Sequence, residues 1–170
     1  MKGYIQVYTG KGKGKTTAAL GLALRGAGAG LQVFVGQFLK QGDYSEIKAL
    51  SLFENVTVEQ FGMGRFVRGV PSDQEKAAAR KGYGRLCDIL EAGVHDLIIV
   101  DEGNVAVTCQ LISEEELLTL MDKKPENVEL VITGRGASPA VMNRADLVTE
   151  MKEIKHYYHQ GVAARKGIEK

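Results

Sequence analysis

A chain of 170 residues is long enough for one complete hydrophobic core and short for two, so residues 1–170 are expected to form a single domain. Its 22 lysines and arginines nearly cancel 21 aspartates and glutamates, which argues against broad electrostatic adhesion to nucleic acid or to an anionic membrane and makes any anion recognition local. The N-terminus MKGYIQVYTGKGKG has no signal-peptide segment, no stretch approaches the roughly 20 apolar residues of a membrane span, and Cys87 and Cys109 lie outside any CxxC spacing; a cytoplasmic protein with two reduced thiols is expected.

In chain order, the apolar run YIQVYT (4–9) predicts a first strand, and the loop GKGKGKTT (10–17) follows it directly. Thr16 to Gly28, rich in alanine, leucine and glycine, predicts a helix packed closely on a sheet. LQVFVGQF (31–38) predicts a second strand, and Asn55 to Val70, with VTVEQFGMGRF, a further strand followed by a glycine-rich loop near the site. Ser72 and Glu75 have capping-box spacing, after which Ala79, Tyr83, Leu86 and Leu90 recur at helical intervals. DLIIVD (96–101) predicts another strand. Ser113 with Glu116 repeats the capping box before Leu117, Leu118 and Met121, and Pro125 ends that helix. VELVIT (128–133) completes the set of four continuous β-rich runs, and one more short apolar run, DLVTEM, precedes a polar tail. Continuous rather than alternating apolar runs point to parallel strands covered on both faces, and strands alternating with helices to an open α/β sheet. Such sheets bind ligands outside the carboxyl ends of their strands. The polar signatures TGKGKGKTT, QFLKQGD, DEGN and TGRG fall at those ends.

A glycine-rich turn from strand to helix aims backbone N–H groups at phosphate oxygens, and the helix N-terminus adds partial positive charge. Gly10, Gly12 and Gly14 would shape this cradle with Thr17, while Lys15 contacts phosphate and the Thr16 hydroxyl helps to hold Mg²⁺ or Mn²⁺. The Walker A pattern GxxxxGK[ST] is incomplete, because Thr9 stands where its first glycine belongs. Lys11 and Lys13 either touch phosphate or are solvated. In DLIIVDE, Asp101 and Glu102 stand where carboxylates hold a metal directly or through water, although Glu102 could equally be the general base of an NTP hydrolase. Arg135 is read either as a phosphate or substrate contact or as an ordinary surface ion pair. His95, His156 and His159 lack companion ligands and receive no metal. The expected fold is α/β: a P-loop NTPase-like (RecA-like) three-layer arrangement with a mainly parallel central sheet.

Taken together, VYTGKGKGKTTAALGLALRGAGAG, VGQFLKQG, DLIIVDEGNVAV, VELVITGRGASP, ADLVTEMKEIKH and GVAARKGIE resemble the ATP:corrinoid adenosyltransferases, the type also called cob(I)yrinic acid a,c-diamide adenosyltransferase. The resemblance runs from Gly3 to Glu169. It implies that cobalt reduced to Co(I) attacks the 5′ carbon of ATP, forming a cobalt–carbon bond and releasing triphosphate. It also implies ATP held in reverse relative to ordinary P-loop proteins, no general base, and no histidine on the cobalt. The loop Gly10 to Thr17 and Glu102 match the phosphate and metal positions of the family, and Gln37, Asn104 and Arg135 lie in matching motifs. Implied partners are ATP, a corrinoid (cobalamin, cobinamide or cobyrinic acid a,c-diamide), a reducing protein such as a flavodoxin and a second copy in a homodimer, with no nucleic acid and no membrane.

Two departures from the family pattern bear on the corrinoid. Some members have an N-terminal extension that helps to cover it, whereas this chain starts almost at its first strand, so the cover is expected from elsewhere, such as a partner subunit. Some also have a GFTW-like stretch, whereas this chain has no tryptophan and reads FGMGRFVRG, leaving Phe66 as either the corresponding aromatic contact or a core phenylalanine. Two other classes fit the phosphate loop: a P-loop NTPase switch, with orthophosphate as product, and a non-catalytic nucleotide-binding module.

Overall fold

Adjacent residues of a strand face opposite ways, and in the computed structural model, which describes residues 2–64, 67 and 69–169, both faces of the inner strands at 33–38 and 97–101 are buried. The elements are β1 (Ile5–Thr9), α1 (Lys15–Gly28), β2 (Val33–Phe38), α2 (Ser45–Leu50), β3 (Val56–Phe61), α3 (Asp73–Ala92), β4 (Leu97–Asp101), α4 (Gly103–Thr108), α5 (Glu114–Asp122), β5 (Glu129–Thr133), α6 (Pro139–Arg144), β6 (Leu147–Glu150) and a 3₁₀ turn at Tyr157–Gln160. Phe34 and Phe38 of β2 join one hydrophobic cluster and Val33 and Val35 another; Ile98 and Val100 of β4 part from Leu97 and Ile99 in the same way. The first cluster is closed by residues of α3, α5 and α6, such as Leu86, Leu117 and Val141, and the second by Ala19, Ala23 and Ala27 of α1 with Leu50 of α2. This is the three-layer α/β arrangement expected of a P-loop NTPase-like fold.

The sheet has six strands in the order β3-β2-β4-β5-β1-β6, and every pair is parallel. Parallel neighbours need crossover connections, which the helices supply. Gln37 pairs with Asp101, and Val100 with Ile132, so Gln37, Asp101 and Thr133 fall in one row at the carboxyl edge of three adjacent strands. The four strands expected from continuous apolar runs are all present, as is β3 within Asn55 to Val70, and DLVTEM supplies the edge strand β6. The six-residue helices α2, α4 and α6 are additions to the sequence reading. Each spans fewer than two turns, too few for a periodicity to register. α6 nonetheless carries a start signal, since Pro139 opens it and Ser138 Oγ accepts from the Val141 N–H at 3.2 Å. Among the described residues, no helix is long and apolar enough to cross a membrane.

Both capping boxes form. Ser113 Oγ accepts from the Glu116 N–H at 3.1 Å, and the Glu116 carboxylate accepts from the Ser113 N–H at 2.7 Å. Ser113→Ala is therefore expected to cost about 1 kcal/mol of stability. Thermal denaturation would read this as a lower Tm, with Ser113→Asp losing far less.

Candidate functional site

Residues 10–14 carry the chain from the end of β1 into α1, and Gly14 at the helix N-cap has φ 114°, a conformation open to glycine and costly for other residues. No side chain caps α1, so the N–H groups of its first turn are left for an external acceptor. The loop is held from behind by the chain leaving β6. The Gly12 N–H donates to the Met151 carbonyl at 2.6 Å, and the Met151 N–H donates to Thr9 O at 2.9 Å. A Cβ on Gly12 would lie 2.7 Å from that carbonyl oxygen, and one on Gly10 only 2.4 Å. These two glycines thus admit the TEMKEIKH segment against the loop, while Gly14 supplies the turn. Lys15 is 8% exposed and its Nζ donates to Gly12 O at 2.6 Å. Burial, and then the charge of Arg135, push its pKa down, opposed by Glu102 and Asp101. A desolvated ammonium of this kind gains much from an anionic ligand.

Asp101 is fully buried and receives four donors. Thr16 and Thr133 hydroxyls donate to Oδ1 at 2.8 and 2.7 Å, and Gln37 Nε2 and Lys40 Nζ donate to Oδ2 at 3.0 and 2.7 Å. Glu102 begins α4 in a left-handed conformation, φ 58°, with its N–H donating to Thr133 Oγ1 at 3.0 Å. Burial chiefly, and the neighbouring Asp101 next, raise the Glu102 pKa against the pull of Lys40, Lys15 and Arg135. Lys15, Thr16, Thr17, Glu102, Arg135 and Lys40 share the wall of a cavity of about 940 Å³, near the upper end of the roughly 300–1,000 Å³ of small-molecule sites. Hydroxyl and carboxylate oxygens beside a phosphate cradle suit a hard divalent cation that completes its shell with water and phosphate oxygens.

The remaining residues singled out in the sequence take other places. Gly12, Lys13 and Gly14 line the cavity, whereas Gly10 and Lys11 do not. Lys13 Nζ donates to Ile168 O at 3.1 Å, which ties the C-terminal tail to the loop. Gln37 is fully buried behind Asp101, its Oε1 accepting from Gln60 Nε2 at 3.1 Å. Asn104 is 1% exposed; its Nδ2 donates to Gly134 O at 3.3 Å and its Oδ1 has no partner among the described residues. Phe66 lies outside the described residues. His156 is on the cavity wall, His159 pairs with Glu153 at 2.7 Å, and His95 packs edge-on against Phe34 with a centroid separation of 5.5 Å.

Lys40 and Thr133 line or support the cavity without having been named individually from the sequence, and the tail was named there only as a motif. A lysine three residues beyond Gln37, just past the carboxyl end of β2, was the available signal for the first. In the tail, Glu169 pairs with Arg165 at 3.0 Å and accepts from the Tyr157 hydroxyl. Arg165 first, and then Tyr157, hold the Glu169 pKa down at about 2. A lowered carboxylate pKa stabilises the fastened tail above the ordinary value of 4.5 and loses that contribution as pH falls from 4.5 towards about 2. Glu169→Gln is accordingly expected to speed amide hydrogen exchange across residues 161–169 at neutral pH, and to leave little difference from the wild type near pH 2.

A family model described as ATP:corrinoid adenosyltransferase BtuR/CobO/CobP matches residues 1–169. The chain is 31% identical over 170 residues to a corrinoid adenosyltransferase of Pseudomonas aeruginosa, covering 99% of this chain and 84% of that protein. A corrinoid adenosyltransferase of Sinorhizobium sp. is 33% identical, with 99% and 80% covered, and one of Escherichia coli (strain K12) is 32% identical, with 99% and 86% covered.

Proposed function

The chain belongs to the ATP:corrinoid adenosyltransferase family, and from that premise and the site geometry we propose that it transfers the 5′-deoxyadenosyl group of ATP to the Co(I) centre of a corrinoid in adenosylcobalamin synthesis or salvage. The cobalt electron pair forms the bond to C5′, the C5′–O bond breaks, and its electrons leave on inorganic triphosphate. No proton has to be removed, so no residue acts as a base. The observation that carries the reading is one cavity whose wall holds the phosphate loop, Lys15, Thr16, Glu102 and Arg135 together.

In this reading residues 1–170 act as one domain. The free N–H groups of the loop and α1, with Lys15 and Arg135, bind and orient the triphosphate, so that the leaving group meets preorganised positive charge. Thr16 and Glu102 hold Mg²⁺ or Mn²⁺, and Asp101 orients the Thr16 hydroxyl from behind. When bound, that ion neutralises charge on the departing triphosphate. Gln37 positions Asp101, and Asn104 supports the TGRG turn through Gly134 O. A flavodoxin-type reductant rests on the resemblance alone, and a cytoplasmic location on the expectation drawn from the sequence; a homodimer is further supported by the exposed apolar pair Leu147 and Val148 on edge strand β6.

The test is anaerobic incubation with ATP, Mg²⁺ and chemically reduced cobalamin. A light-sensitive alkylcobalamin spectrum with stoichiometric triphosphate is the expected result. Orthophosphate without alkylation would instead mark an NTPase switch.

A further inference from the structure

We propose that Lys40 is a built-in counter-ion of the metal site, its ammonium resting against Asp101 beside Thr16 until a divalent cation enters and then moving onto the polyphosphate. The inference rests on the reading of Thr16 and Glu102 as the place of that cation. Lys40 Nζ is 2.7 Å from Asp101 Oδ2 and 3.5 Å from Thr16 Oγ1, so one positive charge touches both the buried carboxylate and the hydroxyl. Of the four donors to Asp101, it alone carries charge, the others being two hydroxyls and an amide. A fully buried carboxylate needs such compensation when no metal is near.

The side chain is also placed to leave. It is 19% exposed and stands on the cavity wall, unlike Asp101, and its flexible four-carbon stem allows the ammonium to move while its backbone stays fixed. The backbone is fixed from both sides: Leu39 has φ 60°, and the Gly42 N–H donates to Gln60 Oε1 at 3.0 Å, with Gln60 in turn joined through Gln37 to Asp101. A divalent ion held by Thr16 Oγ1 and Glu102 would set its charge beside the Lys40 ammonium, which stands 3.5 Å from that hydroxyl, and the two like charges repel. The phosphates arriving with the ion offer Lys40 an equivalent anionic partner inside the same cavity.

The test measures Mn²⁺ binding to purified protein, without ATP by the loss of the free-ion electron paramagnetic resonance signal, and with ATP by the Mn²⁺ retained with the protein on a membrane that passes free Mn²⁺ and its ATP complex. Without ATP, Lys40→Met is expected to bind Mn²⁺ at least about tenfold more tightly than the wild type, because a competing charge has gone. With ATP the order reverses, because the variant lacks a phosphate contact. Lys40→Arg keeps the charge and should bind metal without ATP as weakly as the wild type. Lys40→Gln, whose amide still donates to Asp101, should repeat the Lys40→Met result if the latter folds poorly. If neither neutral variant tightens Mn²⁺ binding while wild type still takes up Mn²⁺ with ATP, Lys40 is an ordinary ion pair and the metal reading stands. If the wild type takes up no Mn²⁺ even with ATP, the metal reading fails and the inference with it.

Discussion

Lys15→Ala is expected to lower kcat/KM for ATP by about two to three orders of magnitude, the range found when one preorganised donor to a developing anion is removed. The size follows from where the ammonium sits. Lys15 opens α1, is nearly enclosed, and its Nζ is already directed at the loop through Gly12 O at 2.6 Å. Its charge acts in a poorly solvated place, where an ionic contact is worth far more than in water. Lys11, in the same loop, is exposed and absent from the cavity wall. A solvated lysine contributes on the order of 0–1 kcal/mol to such an encounter, so Lys11→Ala should change the rate by no more than a few-fold. Steady-state kinetics over a range of ATP concentrations, paired with calorimetric ATP binding, checks both variants. Equal losses from the two would show that the loop acts as a diffuse basic patch and that Lys15 has no special place in it.

The contrast between these two lysines also marks what the sequence carried. The strand-then-glycine-then-small-helix pattern located the loop between β1 and α1 because each part is local: apolar run, turn residues and helix follow one another within 25 residues. The row formed by Gln37, Asp101 and Thr133 is not local. It exists because β2, β4 and β5 are neighbours in register, an outcome of strand order that no single run of residues encodes. Lys40 was hidden for the same reason, since its partner is 61 positions away in the chain. The glycines were legible as a strand-to-helix turn, but their contact with Met151 depends on β6 adding to the edge of the sheet beside β1. The tail was legible as a motif, GVAARKGIE, and its physical role emerges only where Ile168 meets Lys13 and Glu169 closes on Arg165.

Glu102→Gln separates function from stability, because the two are expected to move in opposite directions. Removing the charge should lower kcat by about two orders of magnitude or more, as loss of a group that fixes positive charge at a leaving group does. The nucleotide-free protein should nevertheless melt at a higher temperature at neutral pH. Burial raises the Glu102 pKa above 4.5, and Asp101 adds to the effect, so the folded state disfavours the ionised side chain. A carboxylate with a raised pKa costs no stability below the unfolded value; the cost appears as pH rises through the two pKa values and is complete above the folded one. The amide has no charge to bury, so the gain in Tm from Glu102→Gln should be present at pH 7–8 and vanish at pH 4. The left-handed backbone at φ 58°, which costs on the order of 1 kcal/mol, is kept in the variant and cancels from the comparison. Melting curves at pH 4 and pH 8 without metal, set beside single-turnover rates with ATP and reduced cobalamin, decide the matter. A variant less stable than wild type at pH 8 would mean that the Glu102 charge is satisfied within the fold itself, and its place as a group held ready for a metal and a polyphosphate would have to be given up.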